Sequence, residues 1–316
     1  MNRTLKYRLS GVLLVALGLA TLPHAASAEE ELIVADQKGQ QKALMEAAGA
    51  DKDLHYHIHW VEFAAAAPLL QALGAGAVDT GIAGDGPFLF AWGAGLPIKA
   101  AYMLPPKGGG SATAVVVPEG SAITSLAQLS GRRIATGKGS IGHLLLLRLL
   151  ANHAIPAPAP EISFLSPVQA KAALDTGRVD AWSTWEPYVS LEAIGNHGHI
   201  LGDASGIMPN NDFFVANSDA LSKKPQLLAD FYHRMTQAYS WGIKHPTDYA
   251  GILSQQTGIP PNVAAAVAQK LIGIPSPVTP DVVQAEAGVL ETYHAAHLLT
   301  PTQPIAEAFE LNFPPP

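Results

Sequence analysis

The sequence predicts an α/β protein of two similar lobes around a cleft, joined by a two-stranded hinge. Three observations carry that prediction. The chain repeats itself weakly, each copy alternates strand and helix, and the last third is helical with the first copy as its natural packing partner. Lys38-Gly39 recurs as Lys138-Gly139 at an offset of 100. Phe63 then matches Phe164, Ala72-Leu73 matches Ala173-Leu174, Gly76 matches Gly177, Val78-Asp79 matches Val179-Asp180 and Asp85 matches Glu186, all at an offset of 101.

In each copy a strand (31–35; 133–136) leads through Lys-Gly into a helix (40–48; 140–153). A second strand (55–63; 162–165) and helix (66–73; 168–174) follow. A Gly turn then gives a third strand (77–83; 179–184) and another helix start near Pro87 or Pro187. Strands and helices alternating at this length form right-handed parallel units. Beyond about Ser218, apolar residues fall at helical spacing over 227–239, 262–272 and 281–296. Packing these helices on the first copy makes the chain cross between lobes twice, near 112–118 and 213–217, both short apolar runs. The expected lobes are residues 29–114 with 217–316, and residues 115–216. Two crossings make a hinge, and a hinge encloses a cleft.

The N-terminus sets the expected compartment. Arg3, Lys6 and Arg8 precede an apolar run over 11–22 that is short for a bilayer, and Ala26-Ser27-Ala28 supplies the small residues of a signal-peptidase site. A signal peptide over 1–28, cleaved after Ala28, would deliver the chain to the periplasm without a membrane anchor. The sequence has no cysteine, which excludes thiolate catalysis, Cys zinc sites, disulfides and lipid-modified cysteine. A net charge of −7 argues against nucleic acid or an anionic membrane as partner. It leaves room for a small anion, because a site is local. No cofactor is expected.

Both Lys-Gly motifs fall where a strand ends and a helix begins, at the strand ends where open α/β sheets bind ligands. Unpaired N–H groups and the helix dipole there suit an anion. Gln37 and Lys38 are the first-copy candidates, with amide donors following at Gln40 and Gln41. In the second copy, Lys138, Gly139, Ser140, Ile141 and His143 span the corresponding turn, with close backbone approach at the glycines and a hydroxyl at Ser140. Gly84 and Asp85 close the third strand of the first copy, and Trp182, Trp185 and Glu186 close that of the second. The tryptophans and Phe63 are candidates to flank an organic group.

The string 137–142 also fits GxGxxG, but the strand after it ends in Ser166-Pro167 and not in the acid a ribose requires. Gly139 stands where a Walker loop needs Ser or Thr, so the chain is not the ATPase. His55, His57 and His59 share one strand face about 7 Å apart, too far for one rigid strand to close around zinc, and no metal is expected.

Taken together these residues resemble the substrate-binding proteins of aliphatic sulfonate importers, within the group that also serves taurine, nitrate and thiamine-precursor uptake. Gln37-Lys38-Gly39, Trp60-Val61-Glu62-Phe63, Gly84-Asp85, Gly137-Lys138-Gly139-Ser140, the run from His143 to Arg148, Asp180-Ala181-Trp182 and Trp185-Glu186-Pro187-Tyr188 carry the resemblance. It covers nearly the whole chain beyond residue 28. It implies a type II periplasmic binding fold, a small anionic ligand such as a sulfonate, a permease partner, a separate ATPase subunit and no enzymatic activity. A monomer is expected. Gln40, where the family usually has Ser, and the run Ala64 to Ala67, where it tends to have a Pro/Gly loop, point to a pocket of altered size. Alternatives are a neutral aromatic such as a pyrimidine, a nitrate-like anion, and a hydrolase using Ser140 with His143, for which no orienting acid is evident.

Overall fold

The computed structural model describes residues 30–270, 273–311 and 313. The expected signal peptide with its cleavage site, and residues 271–272 of an expected helix, lie outside the described residues.

The first copy folds as β1 (Glu31–Gln37), α1 (Gln40–Ala47), β2 (His57–Phe63), α2 (Ala66–Gly74), β3 (Thr80–Gly84), α3 (Asp85–Gly93) and β4 (Ile98–Leu104). The second folds as β5 (Thr113–Val117), β6 (Arg133–Thr136), α4 (Ile141–Ala151), β7 (Glu161–Phe164), α5 (Pro167–Asp175), β8 (Ala181–Trp185), a short α6 (Tyr188–Ser190) and β9 (His199–Asp203). Then come β10 (Asp212–Asn217), α7 (Ser218–Lys223), α8 (Pro225–Lys244), α9 (Pro246–Thr257), α10 (Pro261–Gln269), β11 (Ser276–Pro277) and α11 (Pro280–Ala295).

Two sheets result. The first runs β11-β4-β10-β3-β1-β2 and the second β7-β6-β8-β5-β9. In each, the three repeat strands are parallel, and the fourth strand, β10 or β5, is antiparallel to its neighbours. Both Lys-Gly turns need a left-handed residue to turn sharply from strand to helix, and Gly39 and Gly139 supply it at φ 68° and 70°.

The chain passes between the sheets at 105–112 and 204–211. The runs expected to be crossings are themselves strands, each following its passage. Thr113–Val117 and Phe213–Asn217 are buried throughout because each is a central strand covered by helices on both sides. The first passage holds Gly108, Gly109 and Gly110, all at positive φ. A side chain on Gly110 would meet the backbone of Ser205 at 2.8 Å, so the two passages lie against each other.

The C-terminal helices do pack on the first sheet. α1, α8, α9 and α10 share one apolar core on one side of it, around Tyr232, Tyr239 and Phe214. α2, α3 and α11 form the other around Phe88, Phe213 and Leu290, and Ile141 and Leu144 of α4 join that core from the opposite lobe. The lobes are therefore in apolar contact. Tyr293 Oη of α11 lies 3.4 Å from the carbonyl oxygens of Gly139 and Ser140, and Tyr188 Oη donates to Ala64 O at 3.2 Å. No described helix is long and apolar enough to cross a membrane.

Candidate functional site

A cavity of about 370 Å³ lies between the sheets, at the carboxyl ends of β1, β2, β3, β6, β7 and β8. Five helix N-termini border it, those of α1 to α5. What differs among them is whether their first N–H groups are already occupied.

In the first lobe, Asp36 is 2% exposed and accepts from the N–H groups of Gln41 at 3.1 Å and Lys42 at 2.9 Å. Burial raises its carboxyl to about 6 against these bonds. α3 is closed in the same way. Its Asp85 carboxylate accepts from Gly86 N–H at 2.5 Å, while Asp85 N–H donates to Asn211 O at 2.8 Å. α2 has no such group. Its cap residue Ala65 makes no side-chain bond, so the first-turn N–H groups of Ala66 and Ala67 face the cavity rim open, and Pro68 has no N–H to satisfy.

In the second lobe the caps are hydroxyls. Ser140 Oγ accepts from His143 N–H at 3.2 Å, and Ser166 Oγ accepts from Gln169 N–H. These caps are worth about 1 kcal/mol each and leave the N–H groups of Ile141 and Gly142 at the start of α4. Gly142 sits directly on Ser183 O of β8, where no side chain fits, and this seats the helix end on the sheet. Lys138 is exposed at the rim and makes no ion pair among the described residues.

The other charged groups at the cavity are paired. Lys107, in the first passage, is 3.4 Å from Asp212. Burial works against its ammonium, but Asp212, with Tyr249 and Glu186, holds it above its usual range. Glu186 accepts from Ser190 N–H and Oγ and is ion-paired with Lys270, which also donates to Ser111 O at 3.2 Å.

Of the residues singled out from sequence, Gln37, Gly84, Lys138, Ser140, Ile141, Trp185 and Glu186 border the cavity. Lys38, Phe63, Asp85, Gly139, His143 and Trp182 do not. Lys38 N–H donates to Phe63 O at 3.1 Å, and Phe63 packs into the first-lobe core. Gly139 is covered by Phe90, which a side chain there would meet at 2.5 Å. Trp182, 1% exposed, is core, on the strand face opposite Trp185.

His143 is buried, and burial, with the Lys138 charge, lowers its imidazole to about 4. Its Nδ1 accepts from Gly139 N–H at 3.1 Å, and Ser140 Oγ meets the backbone of His143, not its ring. The ring is thus not a base for Ser140. Among the described residues no group of His, Asp and Glu gathers as for a metal.

The sequence reading missed Lys107, Thr113, Asn210, Asn211 and Asp212 as lining residues. The turn-forming Pro209-Asn210-Asn211-Asp212 was the available signal.

A cavity enclosed by two α/β lobes, linked by two passages and ringed by helix N-termini, defines a two-lobed solute-binding protein of the periplasmic fold. Residues 58–249 match the family described as NMT1/THI5 like. An aliphatic sulfonates-binding protein of Escherichia coli (strain K12) is 30% identical over 269 residues, 84% of this chain and 83% of that protein. The taurine-binding periplasmic protein of the same organism is 29% identical over 79% of this chain and 72% of its own length. The alkanesulfonate-binding protein SsuA of Xanthomonas axonopodis pv. citri, solved bound to MOPS, superposes with a TM-score of 0.82 at 30% identity, covering 90% of this chain and 99% of that one. The chain belongs to the NMT1/THI5-like family, in its group of aliphatic sulfonates-binding proteins, and is a binding protein, not an enzyme.

Proposed function

We propose that the chain captures an aliphatic or aryl sulfonate, or a related organosulfur anion, in the periplasm and hands it to the permease of an ABC importer driven by a separate ATPase subunit. The observation that carries this reading is the convergence of the open α2 and α4 N-termini and Lys138, unpaired among the described residues, on a cavity with largely apolar walls. A sulfonate's weakly basic oxygens suit backbone N–H donors at helix ends. Its organic part would lie against Ala64 to Ala67, Phe164 and Trp185. Ser140, Ile141, Gln37 and Gly84 complete the ligand contacts, and Glu186 acts through its ion pair. The names of the relatives support the same ligand class, and the taurine-binding relative, named as periplasmic, supports the compartment.

The two lobes, one built on the sheet of β1 to β4 with β10 and β11 and the other on β5 to β9, close about the ligand as a monomer. The closed form is the one the permease recognises. The mature protein begins at Glu29, which intact-mass measurement of exported material checks.

The test is a thermal-shift screen of the mature chain against alkane- and arylsulfonates, taurine, sulfate, nitrate and pyrimidines. A ligand at 100 times its dissociation constant adds about 2.7 kcal/mol of stability. A raised midpoint with sulfonates is expected. A shift with neutral pyrimidines alone would overturn the anion reading.

A further inference from the structure

The cavity has two chemically different ends. Along the second sheet, β7 and β6 bring the α5 and α4 N-termini and Lys138, whereas β5, two strands beyond β6, brings Thr113. Along the first sheet, β2 brings the α2 N-terminus, whereas β10, three strands away, brings Asn210 to Asp212. At strand spacings of about 4.8 Å, the anion end and the passage end are separated by about 10–14 Å.

Two polar side chains at the passage end are buried, line the cavity and make no hydrogen bond to any described residue. Asn210 is 7% exposed and Thr113 is 3% exposed. Asn210 is held at φ 57°, a left-handed conformation tolerated by Asn, which sets the direction in which its side chain leaves the backbone. Their polar atoms open on the cavity and have no protein partner among the described residues, so a ligand atom can bond them there in place of solvent. The charges beside them are already neutralised, Asp212 by Lys107 and Glu186 by Lys270.

We infer that Asn210 and Thr113 form a second subsite, for an uncharged oxygen function on the end of the ligand remote from its anionic group. The preferred ligand is then an oxygenated sulfonate (one bearing a hydroxyl, ether or carbonyl at its far end) in place of a plain alkane- or arylsulfonate. This inference rests on the sulfonate reading above and specifies it further. An uncharged group suits the site because each carboxylate there already holds a lysine. A distal ammonium would have to displace one.

The experiment compares near-isosteric probes long enough to reach both ends by calorimetric titration of the mature chain: 4′-hydroxybiphenyl-4-sulfonate against 4′-methylbiphenyl-4-sulfonate, and 6-hydroxyhexanesulfonate against heptanesulfonate. The same titrations are run with Asn210→Gly, which keeps the left-handed backbone accessible, and with Thr113→Val, which keeps the shape. Wild type should prefer the hydroxyl member of at least one pair about tenfold or more, and each variant should bring that ratio towards one. Equal affinity for both members of both pairs in wild type overturns the subsite and leaves the sulfonate reading intact. A preference that survives both substitutions overturns the assignment to these two residues. Tighter binding of 6-aminohexanesulfonate than of 6-hydroxyhexanesulfonate overturns the uncharged character of the subsite. Failure of every sulfonate to bind removes the underlying reading, and this inference with it.

Discussion

Two helices of the first lobe begin alike, with proline at the third position: Ala66-Ala67-Pro68 in α2 and Asp85-Gly86-Pro87 in α3. Both start at the cavity, yet only α2 offers it donors. In α3 the Asp85 carboxylate folds back on Gly86 N–H, and its own N–H is taken by Asn211 O. Being at a helix N-terminus next to a cleft is therefore not sufficient for anion binding. What decides is whether the chain supplies its own anion first. Asp36 does the same for α1, so the ligand is left with α2 and the hydroxyl-capped helices of the second lobe.

The sharpest way to break this contrast is to give α2 the start that α3 has. Ala67→Asp places a carboxylate at an exposed position of that first turn, where it favours the helix and disfavours the ligand. Sulfonate affinity measured by calorimetry should fall at least about a hundredfold, about 3 kcal/mol, with the thermal midpoint little changed. An affinity within a factor of a few of wild type would show that α2 does not hold the anion.

Lys138→Met removes the one lining cation without an ion pair among the described residues. Affinity should drop about tenfold, and the dependence of the dissociation constant on salt should flatten, because an exposed charge acts through a screened field.

The acids that close α1 and α3 leave a signature in stability. Burial raises the carboxyls of Asp36, to about 6, and of Asp85, whose neighbour Asp212 adds to the effect. Glu286 of α11, fully buried beside Asp85, is likewise pushed above the carboxylate range by burial and then by that neighbour, against the Asn211 bond and Arg148. A folded-state value above the unfolded one means that the folded chain holds protons the unfolded chain has released. Stability is then greatest below the ordinary carboxylate range and declines as pH rises through the raised values. Melting midpoints between pH 4 and pH 8 should show this decline, and Glu286→Gln should make it shallower. An unchanged slope would mean that Glu286 is ionised throughout.

Trp185 gives the smallest and most direct readout. It borders the cavity while Trp182 is core, so ligand should alter tryptophan emission in wild type and in Trp182→Phe, but not in Trp185→Phe.

Much of this molecule was legible in the sequence because its repeat fixes spacing. The strand 133–136 falls as expected, and α1, α2, α5, α8 and α11 overlap their expected spans with ends shifted by a few residues. The runs at 112–118 and 213–217 were ambiguous for a physical reason: a strand apolar on both faces looks the same whether it connects lobes or lies in mid-sheet. The parity of Trp182 and Trp185, three apart on one strand, puts them on opposite faces, but which face meets the cavity came only from the packing of the helices around the sheet. The role of Asp85 was not legible. Whether a carboxylate turns outward to a ligand or inward to its own helix depends on Asn211, more than a hundred residues away in sequence.

The placement of β10 also dictates an order of assembly. All five strands of the second sheet come from one continuous stretch, 113–203, whereas the first sheet lacks the strand between β3 and β4 until residues 212–217 exist. A chain emerging from its N-terminus can thus complete its second half before its first. The earlier-made half waits with an open edge, its three parallel strands separated from β4, until the polypeptide returns to fill the gap.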